Sequence, residues 1–372
     1  MADQELIMEP GKLKLNKEVD TYNLVTQLKQ GVSTLMTSEN YKNYLDFCSS
    51  LYNYSHNNQL LIYFQKPNST HVGSFTFWKS HKRYVNRGEK GIYILGPVTK
   101  KEKELVKVEG TKEVEKEVLK IVAFKPQFVF DISQTNGKPI PQILKQLSGN
   151  SPESKILISG IKNVCKIPIL EDTKKEISKA NGAFFPEEKK ILYSPDLSQD
   201  QLAKTLIHEY THSKLHSEIK DYAINRGKYE VEAESAAYMV CKHFGLDTSD
   251  YSFGYISSWA NGKDIKAYEE SLKLSSDISK KIINELNGHF ENLLVKEKSI
   301  IKEELEKYHY KANDNLVENI HQLYKKTDSQ SLKDIKNLLQ SPKNLNEEIK
   351  SLLSNVTKEL RFQEAKAISL QR

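Results

Sequence analysis

Cysteine is scarce: Cys48, Cys165 and Cys241 are the three in 372 residues, and none stands in a C-x-x-C pair. An odd number so widely spaced excludes a disulfide-stapled fold and fits a reducing compartment. Long apolar runs are missing too. Stretches such as Leu60 to Phe64 and Ile92 to Leu95 fall far below the roughly 18 residues that a membrane-spanning helix needs. The opening MADQELIMEPGKLKLNKE lacks the apolar centre of a secretion signal, so the expected location is the cytoplasm with no membrane partner. No repeat of fixed period is visible, which removes solenoids and propellers. Glycine and proline nearly vanish from residues 264–372, which keep only Gly288 and Pro342. That tail is expected to be helical.

What is present describes a globular protein with a heavily charged surface, 38% hydrophobic and 28% charged. The excess of 55 Lys and Arg over 49 acids is too mild to imply a polyanionic partner unless it is localised. It is localised. Between Lys66 and Lys107 ten basic residues face three acidic ones. There Lys79, Lys82, Arg83, Arg87 and Lys90 interleave with Phe75, Phe77, Trp78, Tyr84 and Tyr93, the mixture of cations and flat rings that a single-stranded nucleic acid needs for its phosphates and bases. Asn57 and Asn58 add hydrogen-bonding groups. The competing reading puts Phe75, Phe77 and Tyr93 in the core of a small sheet, with the lysines solvating its outside.

Apolar spacing is helical from about Asn16 to Phe64 and turns to glycine-broken β runs from Val72. Ile92 to Leu95 is an expected strand, with a turn at Gly88 and Gly91 before it and Pro97 ending it. Leu119 to Phe124 is a candidate partner. The charged segment from Lys100 to Val118 reads as a solvated hairpin arm or loop. A boundary falls within Gln134 to Ser154. Beyond it, Ala183 to Phe185 and Ile191 to Tyr193 flank a turn, and Ser198 with Gln201 forms a capping box for a helix with Leu202, Ala203, Leu206, Ile207 and Tyr210 on its apolar stripe. The expected class is α+β, with domains at 16–135 and 155–287 and a helical extension at 288–372.

That capped helix contains His208-Glu209-Tyr210-Thr211-His212, an H-E-x-x-H motif. Imidazoles at i and i+4 share a helix face about 6 Å apart and can converge on one zinc ion at about 2.1 Å each. Glu209 then stands beside the ion as general base, towards water made acidic by the metal. His216 continues the series but lies about 12 Å along the axis from His208, too far to share the ion. The third ligand is expected to be a carboxylate from Glu230, Glu232 or Glu234. Glu234 is favoured because it shares a face with Ala237, Tyr238 and Cys241, suited to packing on the zinc helix; Glu230 would then orient a ligand from behind, and Glu232 has a thermolysin-like interval from His212. Tyr222, Arg226 and Tyr229 are candidate donors for an oxyanion. Cys241 reads as packing and His243 as no ligand.

Two blocks resemble known families. HEYTH with EVEAESAAYMVCKHFGLDTSDYSFGYISSW is similar to the zincin domain of ArdC-type antirestriction proteins and ImmA/IrrE-like metallopeptidases. NYSHNNQLLIYFQKP, FTFWKSHKRYVNRGEKGIYILGPV and FVFDISQT resemble the ArdC N-terminal domain, which binds single-stranded DNA. The resemblance implies a protein of a plasmid or other mobile element that accompanies incoming single-stranded DNA, counters restriction, and carries a zinc peptidase site for an unidentified protein substrate. The rival readings are a DNA-binding accessory protein with structural zinc, and an ImmA-like protease that cleaves a repressor. Neither the charged arm nor the tail beyond about Asn287 has a counterpart in the resemblance.

Overall fold

The computed structural model of this chain describes residues 35, 38–108, 112–140, 153–219, 222–246, 248, 265–307 and 314–326. The expectations for 16–34 and 327–372 lie outside the described residues. The architecture is α+β, with helices and, among the described residues, three small sheets. The chain divides into two compact units, one from residues 1–140 and 253–277, the other from 141–252 and 278–372.

In the first unit, α1 (Ser38–Ser50) buries Tyr41, Tyr44, Leu45 and Cys48, the i, i+3, i+4, i+7 stripe of an amphipathic helix. Helix α2 (His56–Gln65) is buried along most of its length. A short strand β1 (Val72–Gly73) and a long hairpin of β3 (Ile92–Val108) and β4 (Lys112–Asp131) form a sheet in the order β1-β4-β3, so β3 is an edge. Two amides of α2 close that edge at its root. Asn58 donates to the Leu95 carbonyl at 3.0 Å and accepts from its N–H at 2.8 Å, and Gln65 does the same for Tyr93 at 2.8 and 2.9 Å.

Pro97 does not end the strand. It sits opposite Phe124 on an edge strand, where a missing N–H is tolerated, and the register shifts between Val98 and Thr99 as the hairpin continues. The charged segment is thus the outer part of this hairpin. Leu119 to Phe124 pairs with residues 97–101, while Ile92 to Leu95 pairs with 126–129.

Between β1 and β3 the chain departs from the expected β run. Phe75–Ser80 is a short helix, α3, whose N-cap Ser74 accepts from the Phe77 N–H, and β2 (Arg83–Val85) pairs with β5 (Thr135–Gly137). A capped serine ahead of the aromatic run outweighs its β propensity.

The second unit holds α4 (Glu153–Val164), a sheet ordered β6-β8-β7 from β6 (Ile169–Glu171), β7 (Gly182–Phe185) and β8 (Lys190–Tyr193), then α5 (Gln199–Leu215) and α6 (Tyr222–His243). The expected hairpin is present as the antiparallel pair β7 and β8. So is the capping box at Ser198 and Gln201. Helix α6 kinks at Asn225 (φ −108°, ψ 18°). Helix α7 (Ile265–Lys307) is shared between the units at Asp277, and α8 (Asp314–Lys326) follows.

Strand β7 is an edge that runs against α5. A Cβ on Gly182 would stand 2.5 Å from Thr205 Cγ2 and 3.1 Å from Glu209 Cγ, so the absence of a side chain sets this approach. Gly182→Ala is expected to destabilise the fold by about 1–3 kcal/mol, readable as a lower denaturant midpoint at unchanged m-value.

Candidate functional site

Helices α5 and α6 run antiparallel across the site. Glu230 lies level with His208 and His212, and Glu234 lies level with Lys204 and His208. Three donor atoms converge between them. His208 Nε2 is 3.0 Å from His212 Nε2, and Glu230 Oε2 is 3.4 Å from the first and 3.7 Å from the second. Bonds of about 2.0–2.1 Å in a tetrahedral site place neighbouring ligand atoms about 3.4 Å apart, so this triangle has the dimensions of one face of a metal site. It is the one such group of His, Cys, Asp or Glu found among the described residues.

The outer nitrogens are also engaged. His208 Nδ1 lies 3.0 Å from Glu234 Oε2, and the other Glu234 oxygen pairs with Lys204. His212 Nδ1 lies 2.9 Å from His216 Nδ1, and His216 Nε2 lies 3.2 Å from Glu232 Oε2. Backbone geometry helps here: the His216 N–H bonds the His212 carbonyl at 2.8 Å as the helix ends.

Charge in the site follows from these contacts. Burial depresses His208, yet hydrogen bonds with Glu230 and Glu234 outweigh it and raise its pKa to about 10. His212, with burial dominant, drops to about 4. Burial opposes ionisation of Glu230 and Glu234, but their histidine contacts hold Glu230 far below the usual carboxylate range and Glu234 at about 2. These shifts make His208 the imidazolium, between a neutral His212 and two carboxylates. Glu209 is buried beside it and its pKa is raised, chiefly by burial, with His208 opposing.

The residues expected from sequence separate clearly. His208 and His212 converge as the spacing requires. Glu230, not Glu234, closes the triangle: Glu234 meets the far nitrogen of His208, because the antiparallel register sets it one turn further along α5. Glu232 is 2% exposed and reaches His216 instead. Tyr229 lies tilted against the His216 ring, centroids 4.8 Å apart, Arg226 Nε lies 3.5 Å from Glu230 Oε1, and the Tyr222 side chain lies outside the described residues. Cys241 is buried, as expected. Lys204, which pairs with Glu234, belongs to no motif in the sequence, and its i−4 spacing from His208 is the one signal that marks it.

Three of the nine residues expected at a nucleic-acid surface are spent on structure. Trp78 is fully buried and donates its indole N–H to the Phe130 carbonyl at 2.8 Å. Asn58 holds the edge of β3. Arg83 binds Thr135, Gly137 and Lys138, stapling β2 to β5. Asn57, Lys79, Lys82, Tyr84, Arg87 and Lys90 are exposed. Phe75 and Phe77 are exposed as well, against the reading that buries them in a sheet, and Phe128 joins them.

These features define an α+β protein whose second unit pairs an H-E-x-x-H helix with an acidic helix. Residues 14–130 match the family described as the N-terminal domain of anti-restriction factor ArdC, and over that segment the chain is ArdC-like. An uncharacterized protein, pXO2-81, of Bacillus anthracis is 29% identical over 288 residues, 67% of this chain and 48% of its own length. The chain thus spans about half of that relative. Crystal structures of the antirestriction ArdC protein from the R388 plasmid, metal-free and Mn(II)-bound, are 19% and 18% identical. Each covers 64% of this chain, and the matches take in 86% and 85% of the ArdC chains, with TM-scores of 0.39 and 0.38. No helix among the described residues is long and apolar enough to cross a membrane.

Proposed function

We propose that this protein is an antirestriction-type protein that binds single-stranded DNA through its first unit and hydrolyses a peptide bond at a metal centre in its second. The observation that supports the hydrolytic half is the triangle of His208, His212 and Glu230 at 3.0, 3.4 and 3.7 Å, with Glu209 buried beside it. Two imidazoles and one carboxylate suit zinc, and they also accept other first-row divalent ions. A zinc ion held there supplies a Lewis acid for the scissile carbonyl and acidifies a water molecule.

The chain's own residues do the rest. Glu209, made more basic by burial, accepts the proton of the attacking water at its carboxylate and passes it to the leaving amine. Glu234 and Lys204 hold His208 from behind. The edge strand β7 offers backbone groups with which an extended peptide can pair. Arg226, next to Glu230, is the candidate oxyanion donor.

Support for the DNA half is the match over residues 14–130 together with exposed rings, Phe75, Phe77, Tyr84 and Phe128, on the unit that carries exposed Lys79, Lys82, Arg87 and Lys90. Stacking and phosphate neutralisation are the two components of sequence-tolerant single-strand binding.

Two measurements test the proposal. Purified protein is expected to hold about one metal ion per chain, and a labelled oligonucleotide is expected to lose about 50-fold in affinity between about 50 and 200 mM salt if four cations contact phosphate. A chain without metal sinks the hydrolase half; no binding at low salt sinks the DNA half. Metal uptake also has a signature in protons. Since His208 titrates at about 10 and His212 at about 4 in the metal-free centre, uptake releases about one proton, and affinity climbs about tenfold per pH unit from about pH 5 to 8. Calorimetry in buffers of different ionisation heat measures this, and zero release contradicts His208 as a ligand.

A further inference from the structure

His212 differs from His208 in what stands behind it. The outer nitrogen of His208 meets a carboxylate, whereas that of His212 meets another imidazole, His216, which in turn meets Glu232. The side chains of His216 and Glu232 are 3% and 2% exposed. Tyr229 lies against the His216 ring, and Lys228 Nζ is 3.8 Å from Glu232 Oε1.

Protons in this chain of groups can be placed from one end. Glu232 as a carboxylate can only accept, so a neutral His216 carries its single ring hydrogen on Nε2 and presents a lone pair at Nδ1. The Nδ1 atom facing it at 2.9 Å, that of His212, is then the donor. With its hydrogen on Nδ1, His212 turns an unprotonated Nε2 towards His208 Nε2 and Glu230. A carboxylate two imidazoles away therefore selects the tautomer that ligation requires.

We propose that His216 and Glu232 are positioning residues that hold His212 in the Nδ1–H tautomer and thereby set the affinity of the centre for a divalent transition ion. This rests on the metal-centre reading above. It does not require that the centre be a peptidase.

The test uses the full chain with Co(II), whose absorption reports tetrahedral ligation, and competition with a chelator for the dissociation constant. His216→Phe keeps a ring against Tyr229 but removes the acceptor, and is expected to weaken Co(II) binding by about 10–100-fold. His216→Asn, whose side-chain oxygen can accept from His212 Nδ1–H, is expected to recover most of that loss. In the metal-free protein, ring 15N shifts are expected to show His212 protonated at Nδ1.

If His216→Phe binds Co(II) within about twofold of the parent while His212→Ala has lost it, the positioning role is overturned and the centre stands. If His212→Ala still binds, the centre itself is wrong. Should His216→Phe fail to fold, Glu232→Gln decides. Its amide can donate to His216 Nε2, so it is expected to mix the His212 tautomers and weaken binding; unchanged shifts and affinity overturn the proposal.

Discussion

Glu230→Ala is expected to strip the metal from the protein, while Glu234→Ala keeps it with about 10–100-fold lower affinity. The difference follows from which nitrogen each carboxylate faces. Glu230 Oε2 stands 3.4 and 3.7 Å from the two Nε2 atoms that converge, at the distance of a fellow ligand. Glu234 stands behind His208, where it fixes the ring and balances Lys204. Removing Glu230 leaves two imidazoles without an anionic partner, too few donors for a tight site. Removing Glu234 leaves the ligand set complete and loosens one ring. Metal analysis after dialysis, with chelator competition for the weaker variant, reads both outcomes. The reverse pattern, metal lost with Glu234 and kept without Glu230, would falsify the geometric assignment.

Glu209→Gln is expected to keep the metal and lose about 10²–10⁴ of the hydrolytic rate. Glutamine matches glutamate in size, so the approach of β7 at Gly182 survives. What disappears is a basic oxygen able to take a proton from water. Loss of kcat with metal content and oligonucleotide affinity intact identifies a proton carrier. If every peptidase readout is unchanged, Glu209 has no part in the chemistry and the centre is structural.

Local signals made the H-E-x-x-H helix legible in the sequence. Its capping box, apolar stripe and H-E-x-x-H all lie within residues 198–215, where a 3.6-residue period and neighbouring hydrogen bonds suffice. The third acid was not legible in the same way. Glu230, Glu232 and Glu234 differ only in how α6 is shifted along α5, an offset set by the tertiary fold. Ala237, Tyr238 and Cys241, which share a helix face with Glu234, are fully buried. One turn away on the same helix, Glu230 is the carboxylate that stands beside both converging imidazole nitrogens. In the first unit, composition located a basic and aromatic segment but could not separate Trp78, which anchors the core, from Tyr84, which is 62% exposed. Both are flat rings beside lysines, but Trp78 is turned inward on α3, which the Ser74 cap starts, whereas Tyr84 stands outward on β2.

The amides of Asn58 and Gln65 satisfy the outward backbone groups of Leu95 and Tyr93. A foreign strand arriving at that border of the sheet finds no unfilled donor or acceptor at these two positions, so fibre-like growth is terminated at the root of β3 by side chains from a helix.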